Sequence, residues 1–502
     1  MSADIVYASL VTLMASPSLW GLMLAAIPLG MIFGAVPGLG GKLGIVFSIP
    51  FVFGMDPIPG SVFLVAMHSV VHTGGSIPAI LLGIPGTGPD AATVCDGYPM
   101  TQRGEAGRAL GASLTASAVG GVLGAVFLAA LIPVFQPIVL AFGPAEFFFL
   151  TLLGITFIAA LSGDNLVKGV LVGALGLMLS FVGTEPQTGI ERFTFGQVSL
   201  WDGVDVITAV LGIFAIPEIL VIATSSRSVS SSVRHDSTHY PFADLLQGAA
   251  DVGRHWGLTL RTSLIGAVIG LIPGLGGDVA SWMCYGHAVQ SSKTPERFGK
   301  GAVEGVIGPE TANNSKEGGA LLPTLFFGIP GSSGMAVMLG AFIMLGIQPG
   351  PSIALEHLDL VWILIWTLVI ANVVAALMFL AIGRWLALVT FLRPGLFVPF
   401  ALLLTLVGGF VGGGHWQSLI VLVGLGLLGC GFKRCDWPRA PFVIGLTLGP
   451  TLDISLHQAL AIWGPAFVFR PIALGLALAT VVTVVVSLCR ARRRDRGDRA
   501  PA

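Results

Sequence analysis

The stretch Gly266-Ala-Val-Ile-Gly-Leu-Ile-Pro-Gly-Leu-Gly-Gly-Asp278 repeats Gly30-Met-Ile-Phe-Gly-Ala-Val-Pro-Gly-Leu-Gly-Gly-Lys42 almost residue for residue, so one unusual local instruction occurs twice. In each copy an apolar run meets a breaker, Pro37-Gly38-Leu39-Gly40-Gly41 in the first and Pro273-Gly274-Leu275-Gly276-Gly277 in the second. Proline removes a backbone donor and glycine is entropically poor in a helix, so a continuous helix is not expected through either. Both breaks lie between apolar segments, where unpaired backbone groups persist only if they are buried in protein or line a cavity.

Apolar residues make up 54% of the 502, charged residues 10%, and mean hydropathy is +0.89, which at this length requires many spans. The net charge of −1 conceals a basic tail containing Arg490, Arg492, Arg493, Arg494, Arg496 and Arg499. Directly after an apolar run such a cluster is a topology signal rather than a nucleic-acid site, and it places the C-terminus in the cytoplasm. Five cysteines (Cys95, Cys284, Cys430, Cys435, Cys489) show neither C-x-x-C nor zinc spacing, so neither disulfide nor metal is expected from them. The N-terminus carries Asp4 but no basic segment or cleavage pattern, and reads as mature protein.

In chain order, apolar runs over Leu19–Val36 and Leu43–Phe53 flank the first break. A further run to Val71 leads into a polar, glycine-rich passage holding His72, Gly74-Gly75-Ser76, Pro85-Gly86-Thr87, Asp90 and Asp96, too polar to face lipid. Spans are expected at Ala109–Val134, Ile138–Leu161, Leu166–Gly183 and Val204–Thr224, before the Ser/Arg-rich stretch Ser225–Asp236. The order then returns: the second break, a polar passage over Glu304–Ser333, and Gly328-Ile-Pro330-Gly331-Ser332 answering Gly83-Ile-Pro85-Gly86-Thr87.

Loop charge sets the orientation. Asp56–Gly60 is acidic, whereas its counterpart Gln290–Gly301 carries Lys293, Arg297 and Lys300. Thr101–Arg108 carries Arg103 and Arg108, against Glu356 and Asp359 in Gly346–Asp359; Thr184–Gly203 is net acidic, against Lys433, Arg434 and Arg439 in Phe432–Arg439. Cytoplasmic loops are rich in Lys and Arg, so equivalent loops fall on opposite sides and the N-terminus lies outside. The expected fold is an all-α polytopic membrane protein with two inverted-topology repeats, broken or re-entrant helices at the midplane, and roughly 11 to 12 spans plus hairpins. Residues 1–224 form the first membrane repeat and 225–255 a cytoplasmic linker; 256–489 form the second repeat with one additional C-terminal span, and 490–502 the basic tail.

Inverted repeats with paired broken helices point to a secondary transporter that holds substrate near the midplane. Free N–H groups and dipole at a helix N-terminus suit an anion such as a carboxylate, and exposed carbonyls suit a cation. Gly30/Gly34 and Gly266/Gly270 read as close helix packing.

Pro37-Gly-Leu-Gly40, Gly74-Gly-Ser76, Ile84-Pro-Gly-Thr87, Asp96-Gly-Tyr-Pro99, Pro273-Gly-Leu-Gly276, Glu304-Gly-Val-Ile-Gly-Pro-Glu-Thr-Ala-Asn-Asn314, Gly318-Gly319 and Gly328-Ile-Pro-Gly331 together resemble the large membrane subunit of the tripartite tricarboxylate transporters, over almost the full length. The resemblance implies a permease of the bacterial inner membrane, with no cofactor and no enzymatic activity. Its implied partners are a smaller membrane subunit of about four spans and a periplasmic solute-binding protein. It would import a di- or tricarboxylate on a Na⁺ or H⁺ gradient. His68-Ser-Val-Val-His72 departs from a Tyr-Gly-rich stretch that the family often shows before Gly-Gly-Ser, which argues against assigning citrate.

The candidate substrate site therefore comprises the two breaks (Pro37, Gly38, Gly40, Gly41, Lys42; Pro273, Gly274, Gly276, Gly277), the Gly74-Gly75-Ser76 and Pro85-Gly86-Thr87 motifs, Pro330-Gly331-Ser332, and Asn313 with Asn314. Asp278, Glu310 and His72 are the candidate ion-coupling residues. His68 and His72 share a helix face but lack a third ligand with metal spacing, so pore-lining or proton-coupling roles are preferred over a metal. Glu310, Asn313 and Asn314 share a face and are placed on a cavity, while Lys316 and Glu317 read as a solvated loop end. Lys42 and Asp278 occupy equivalent positions, and either pair with each other or serve substrate and cation separately. A passive carboxylate channel or scaffold subunit is the alternative function. An intramembrane enzyme is disfavoured because no G-x-S-x-G or H-E-x-x-H set occurs.

Overall fold

A computed structural model of the protein describes residues 3–36, 40–161, 166–185, 189–224, 241–273, 275–389 and 398–497. The first half runs α1 (Ala3–Ala15), α2 (Pro17–Ala35), α3 (Gly40–Val52), α4 (Pro57–Leu82), α5 (Ala91–Gln102), α6 (Ala106–Leu140), α7 (Pro144–Leu161) and α8 (Leu166–Ser180). A small antiparallel hairpin, β1 (Gly183–Thr184) with β2 (Glu191–Arg192), precedes α9 (Val206–Val210), a π turn at Leu211–Ala215, and α10 (Ile216–Thr224). The second half runs α11 (Phe242–Arg254), α12 (Trp256–Leu271), α13 (Gly276–Ser291), α14 (Glu304–Phe327), α15 (Ser333–Met344), α16 (Pro351–Leu355), α17 (Leu358–Val389), α18 (Val398–Gly413), α19 (Gln417–Arg434), α20 (Ala440–Trp463) and α21 (Pro471–Gly497).

The chain is an all-α polytopic membrane protein. Seven of the described helical segments are long and apolar enough to cross a bilayer, with eight shorter apolar helices beside them. Large apolar side chains on α8, α18, α19 and α21 remain exposed, among them Leu171, Met178, Leu403, Phe410, Leu427 and Val482, as expected of a surface solvated by lipid.

Both breaks occur where proline and glycine demand them, and with nearly the same backbone. Val36 ends α2 at φ −87°, ψ 108° and Ile272 ends α12 at φ −88°, ψ 113°; α3 and α13 then open on Gly40 and Gly276 at φ +66° and +67°. Only glycine adopts that left-handed backbone without strain. Pro37, Gly38 and Gly274 lie outside the described residues.

Most of each polar passage is helical: α4 continues through His72, Gly74, Gly75 and Ser76 to Leu82, and α14 runs from Glu304 to Phe327. Both are almost wholly buried and end alike, on Gly83 and Gly328 in the left-handed region, whose N–H groups return to the carbonyls of Pro78 and Pro323. In a membrane interior a helix satisfies its own N–H and C=O groups, so glycine's low helix propensity is overridden once neighbouring helices cover the segment. Small residues permit that coverage. A Cβ at Gly30 or Gly34 would strike the carbonyls of Met67 or Val71 on α4, and one at Gly266 or Gly270 would strike those of Ala312 or Lys316 on α14.

The halves also exchange partners. α6 packs on α14 while α17 packs on α4; α11 packs on α6 while α1 packs on α17. α11 falls within the stretch 225–255 read as linker. It is an amphipathic helix fixed to α6 by close approach of Gly248 to the Arg108 carbonyl and by Arg108 Nε to Asp251 Oδ2 at 2.6 Å; 225–240 lie outside the described residues.

Candidate functional site

Four helices begin at one place. α3 opens with Gly40, Gly41 and Lys42; α13 opens with Gly276, Gly277 and Asp278; α15 follows its cap Ser332; and α5 follows Gly88, Pro89 and its cap Asp90. All of these residues except Asp90 line a single cavity of about 810 Å³. The breaks and the two Gly-Ile-Pro-Gly turns produce this convergence, because each stops one helix and starts the next at depth. Ser332 Oγ accepts from the Met335 N–H at 3.2 Å, and Asp90 Oδ2 accepts from the Thr87 N–H at 2.8 Å and from Thr87 Oγ1 at 2.6 Å. The first-turn N–H groups of a helix have no intrahelical partner, so four helix starts gathered at one cavity favour an anion.

Charged side chains add to this. Lys42 and Asp278 both line the cavity and are exposed in it, and among the described residues no ion pair within 4.0 Å joins them. Lys316 and Glu317, read as a solvated loop end, are instead buried in the middle of α14, at 2% and 1% exposure, where they contact each other as an ion pair. The correction follows from α14 running unbroken through the interior. Lys316 also lines the cavity, with Nζ 3.5 Å from His72 Nε2. His68 and His72, one helical turn apart on α4, reach Glu317 at 3.5 and 3.3 Å, and His72 Nδ1 lies 3.0 Å from Thr87 Oγ1. Thr87 thereby connects the histidine cluster to Asp90.

Of the residues singled out from sequence, Gly40, Gly41, Lys42, His72, Pro85, Gly86, Thr87, Gly276, Gly277, Asp278, Pro330 and Ser332 all line this cavity. Gly74, Gly75 and Gly331 lie one layer behind and act by close approach. A Cβ at Gly74 would meet the Met31 backbone, at Gly75 the Asp90 carboxylate, and at Gly331 the Gly270 carbonyl. Ser76 donates to the Thr73 carbonyl at 2.9 Å, and Pro273 is half-buried outside the lining. Glu310, Asn313 and Asn314 are buried behind the wall. Glu310 accepts from Thr93 at 2.6 Å and Ser117 at 2.9 Å, while Asn314 Nδ2 donates to Thr73 Oγ1 at 3.1 Å and Asn372 Oδ1 at 2.7 Å.

The cavity has a further wall that sequence reading missed, formed by Phe214, Glu218, Trp437, Pro438 and Arg439. Arg439 donates to Glu218 Oε1 at 2.7 Å and lies over the Phe214 ring at 5.2 Å, and Lys433 holds Glu218 Oε2 at 2.5 Å. Glu218 is thus a paired charge. Arg439 was hidden because counting loop charges groups it with Lys433 and Arg434, whereas folding turns it into the cavity. Phe214 lies within the π turn Leu211–Ala215, and π bulges concentrate at functional sites.

The described residues contain one cluster with metal-ligand spacing, Glu185, Asp453 and His457, away from this cavity and crossed by Arg192. Arg192 Nη2 meets Glu185 at 2.7 Å and Nη1 meets Asp453 at 2.9 Å, an arrangement of paired charges.

An uncharacterized 52.8 kDa protein in the TAR-I ttuC' 3' region of Agrobacterium vitis is 32% identical over 472 residues, 93% of each chain. A second uncharacterized protein, in the TAR-II ttuC' 3' region of the same organism, is 34% identical over 235 residues, 45% of this chain and 97% of its own length. No solved structure matches the chain. The tripartite tricarboxylate transporter TctA family matches residues 21–444, which include every lining residue of the cavity described above. The chain belongs to the tripartite tricarboxylate transporter TctA family, and is a multi-pass membrane subunit of a transporter that works with other subunits.

Proposed function

We propose that the chain is the large permease subunit of a binding-protein-dependent secondary transporter that imports a di- or tricarboxylate into bacteria across the inner membrane, driven by a Na⁺ or H⁺ gradient. The observation that carries this reading is the convergence of four helix N-termini on one cavity that also holds Lys42, Lys316 and Arg439. Each terminus supplies N–H donors and about half a positive charge, so a carboxylate there is met by donors and dipole without a large rearrangement. Lys316 and Arg439 are paired with Glu317 and Glu218, while Lys42 forms no ion pair among the described residues and is the cation assigned to a substrate carboxylate. The N-terminus is assigned to the periplasm and the C-terminus to the cytoplasm from loop charge. A small membrane subunit of about four spans and a periplasmic solute-binding protein complete the assembly.

The test is uptake into proteoliposomes containing this chain, its small membrane subunit and the binding protein, screened over di- and tricarboxylates. Accumulation above the external concentration only under an imposed Na⁺ or H⁺ gradient is the expected result. Equilibration without accumulation identifies a passive channel, and accumulation of a cationic or neutral solute instead overturns the carboxylate assignment.

A further inference from the structure

Behind the cavity wall two carboxylates are buried with no positive partner. Asp90 and Glu310 are both 0% exposed. Their closest partners are hydroxyl, amide and backbone N–H groups, and among the described residues neither forms an ion pair with Lys, Arg or His. They form a cross-braced square between α5 and α14. Thr93, three residues after Asp90, donates to Glu310 Oε1 at 2.6 Å; Asn313, three residues after Glu310, directs Nδ2 at Asp90 Oδ1 at 3.4 Å.

Two ionised carboxylates in a low-dielectric interior repel each other and lose hydration, which is sustained only by a compensating cation or by protonation. A second, independent observation points to the cation. The Asn313 amide turns Nδ2 toward Asp90, and its oxygen Oδ1, beside Gly277, is fully enclosed and accepts no hydrogen bond; Asn313 is 1% exposed. An orphaned buried carbonyl oxygen is destabilising unless something electropositive meets it. Carboxylate, hydroxyl and amide oxygens without a nitrogen or sulfur ligand are the donor set of a hard cation.

We propose that Asp90, Glu310 and Asn313, with Thr93, form a Na⁺ site. This deepens the transporter reading and rests on it for the choice of a monovalent ion. The site communicates with the substrate cavity through Thr87, whose hydroxyl touches Asp90 at 2.6 Å and the cavity-lining His72 at 3.0 Å. Gly75 is required where it is because a Cβ would occupy the position of Asp90 Oδ2. Asp278, an ion-coupling candidate from sequence, is exposed in the cavity rather than enclosed in this square.

The experiment is binding of radioactive Na⁺ to the purified full-length chain in detergent, at fixed pH and ionic strength with choline as replacement and with no carboxylate present. Saturable Na⁺ binding is expected for the wild-type chain, accompanied by a rise in its melting temperature with Na⁺. Asp90→Asn and Glu310→Gln should each weaken Na⁺ affinity by about tenfold or more, whereas Glu310→Asp should retain part of it. Absence of saturable Na⁺ binding by the wild-type protein overturns the proposal without reference to any variant. So does equal Na⁺ affinity in folded Asp90→Asn and Glu310→Gln proteins, Ca²⁺ displacing Na⁺ at equal charge concentration, or proton release and uptake in place of Na⁺ binding. Na⁺ binding by a chain that transports no carboxylate would leave this site standing and remove the permease reading alone.

Discussion

Lys42 and Asp278 stand at equivalent positions after the two breaks, line one cavity and, among the described residues, make no direct ion pair, and we propose that they serve substrate and cation separately. Lys42→Gln is expected to raise the apparent KM for carboxylate uptake, and the charge exchange Lys42→Asp with Asp278→Lys to leave uptake absent. Recovery of uptake in the exchanged protein would show a structural pair instead. Lys316 plays a different part, because it neutralises Glu317 inside the bundle while also lining the cavity. Lys316→Met leaves Glu317 buried and unpaired beside two histidines, and is expected to destabilise the protein by about 3–5 kcal/mol. In the double variant Lys316→Met/Glu317→Met thermal stability should return while uptake does not. Stability and uptake returning together would remove Lys316 from the substrate site.

At the scale of elements, contact between α2 and α4, and between α12 and α14, depends on glycine faces that bring backbones together. Gly34→Leu or Gly270→Leu must push each helix pair apart, because the added side chain begins on a carbonyl of the facing helix. Both variants should lower the melting temperature and abolish uptake, and a normal melting profile for either would refute the packing role. The surface contact between α11 and α14 carries a pH signature. His255, between α11 and α12, lies 3.5 Å from Glu304, and that carboxylate raises the imidazole pKa above 6.5. Because the folded value is the higher one, the stabilisation is complete below the unfolded pKa and is lost as pH rises through the folded pKa. His255→Asn should therefore lower the melting temperature in mildly acidic buffer and have little effect in alkaline buffer. An equal effect at both pH values would exclude the charged contact.

For the whole molecule, the orientation proposed from loop charge has the N-terminus in the periplasm, the C-terminus in the cytoplasm and equivalent loops of the two halves on opposite sides. In spheroplasts an N-terminal tag should be cleaved by added protease, whereas a C-terminal tag should be protected. Protection of both tags would reverse the proposed orientation of the first half. The exchanged packing of α6 on α14 and α17 on α4 places the two central helices in the same kind of surroundings, so displacement of either half changes both cavity walls. A cavity built from the starts of α3, α5, α13 and α15 is suited to that, since each half contributes two of its four helix N-termini.

Membrane class, the duplication and both helix breaks were legible in the chain, because hydropathy, proline and glycine act locally and nothing distant overrides them there. The same holds for most cavity-lining residues, which cluster in short motifs at the breaks and turns. Tertiary structure alone decided the rest. His72-Thr-Gly-Gly-Ser76 and the Glu304 to Phe327 passage are helical because surrounding helices enclose them and leave the backbone no partner but itself. Lys316 and Glu317 are interior for that same reason. Arg439 and Trp437, which follow α19, reach the cavity only when α19 folds against the π turn, across more than two hundred residues. The approach of Asp90 and Asn313 joins α5 to α14, which no sequence spacing could express.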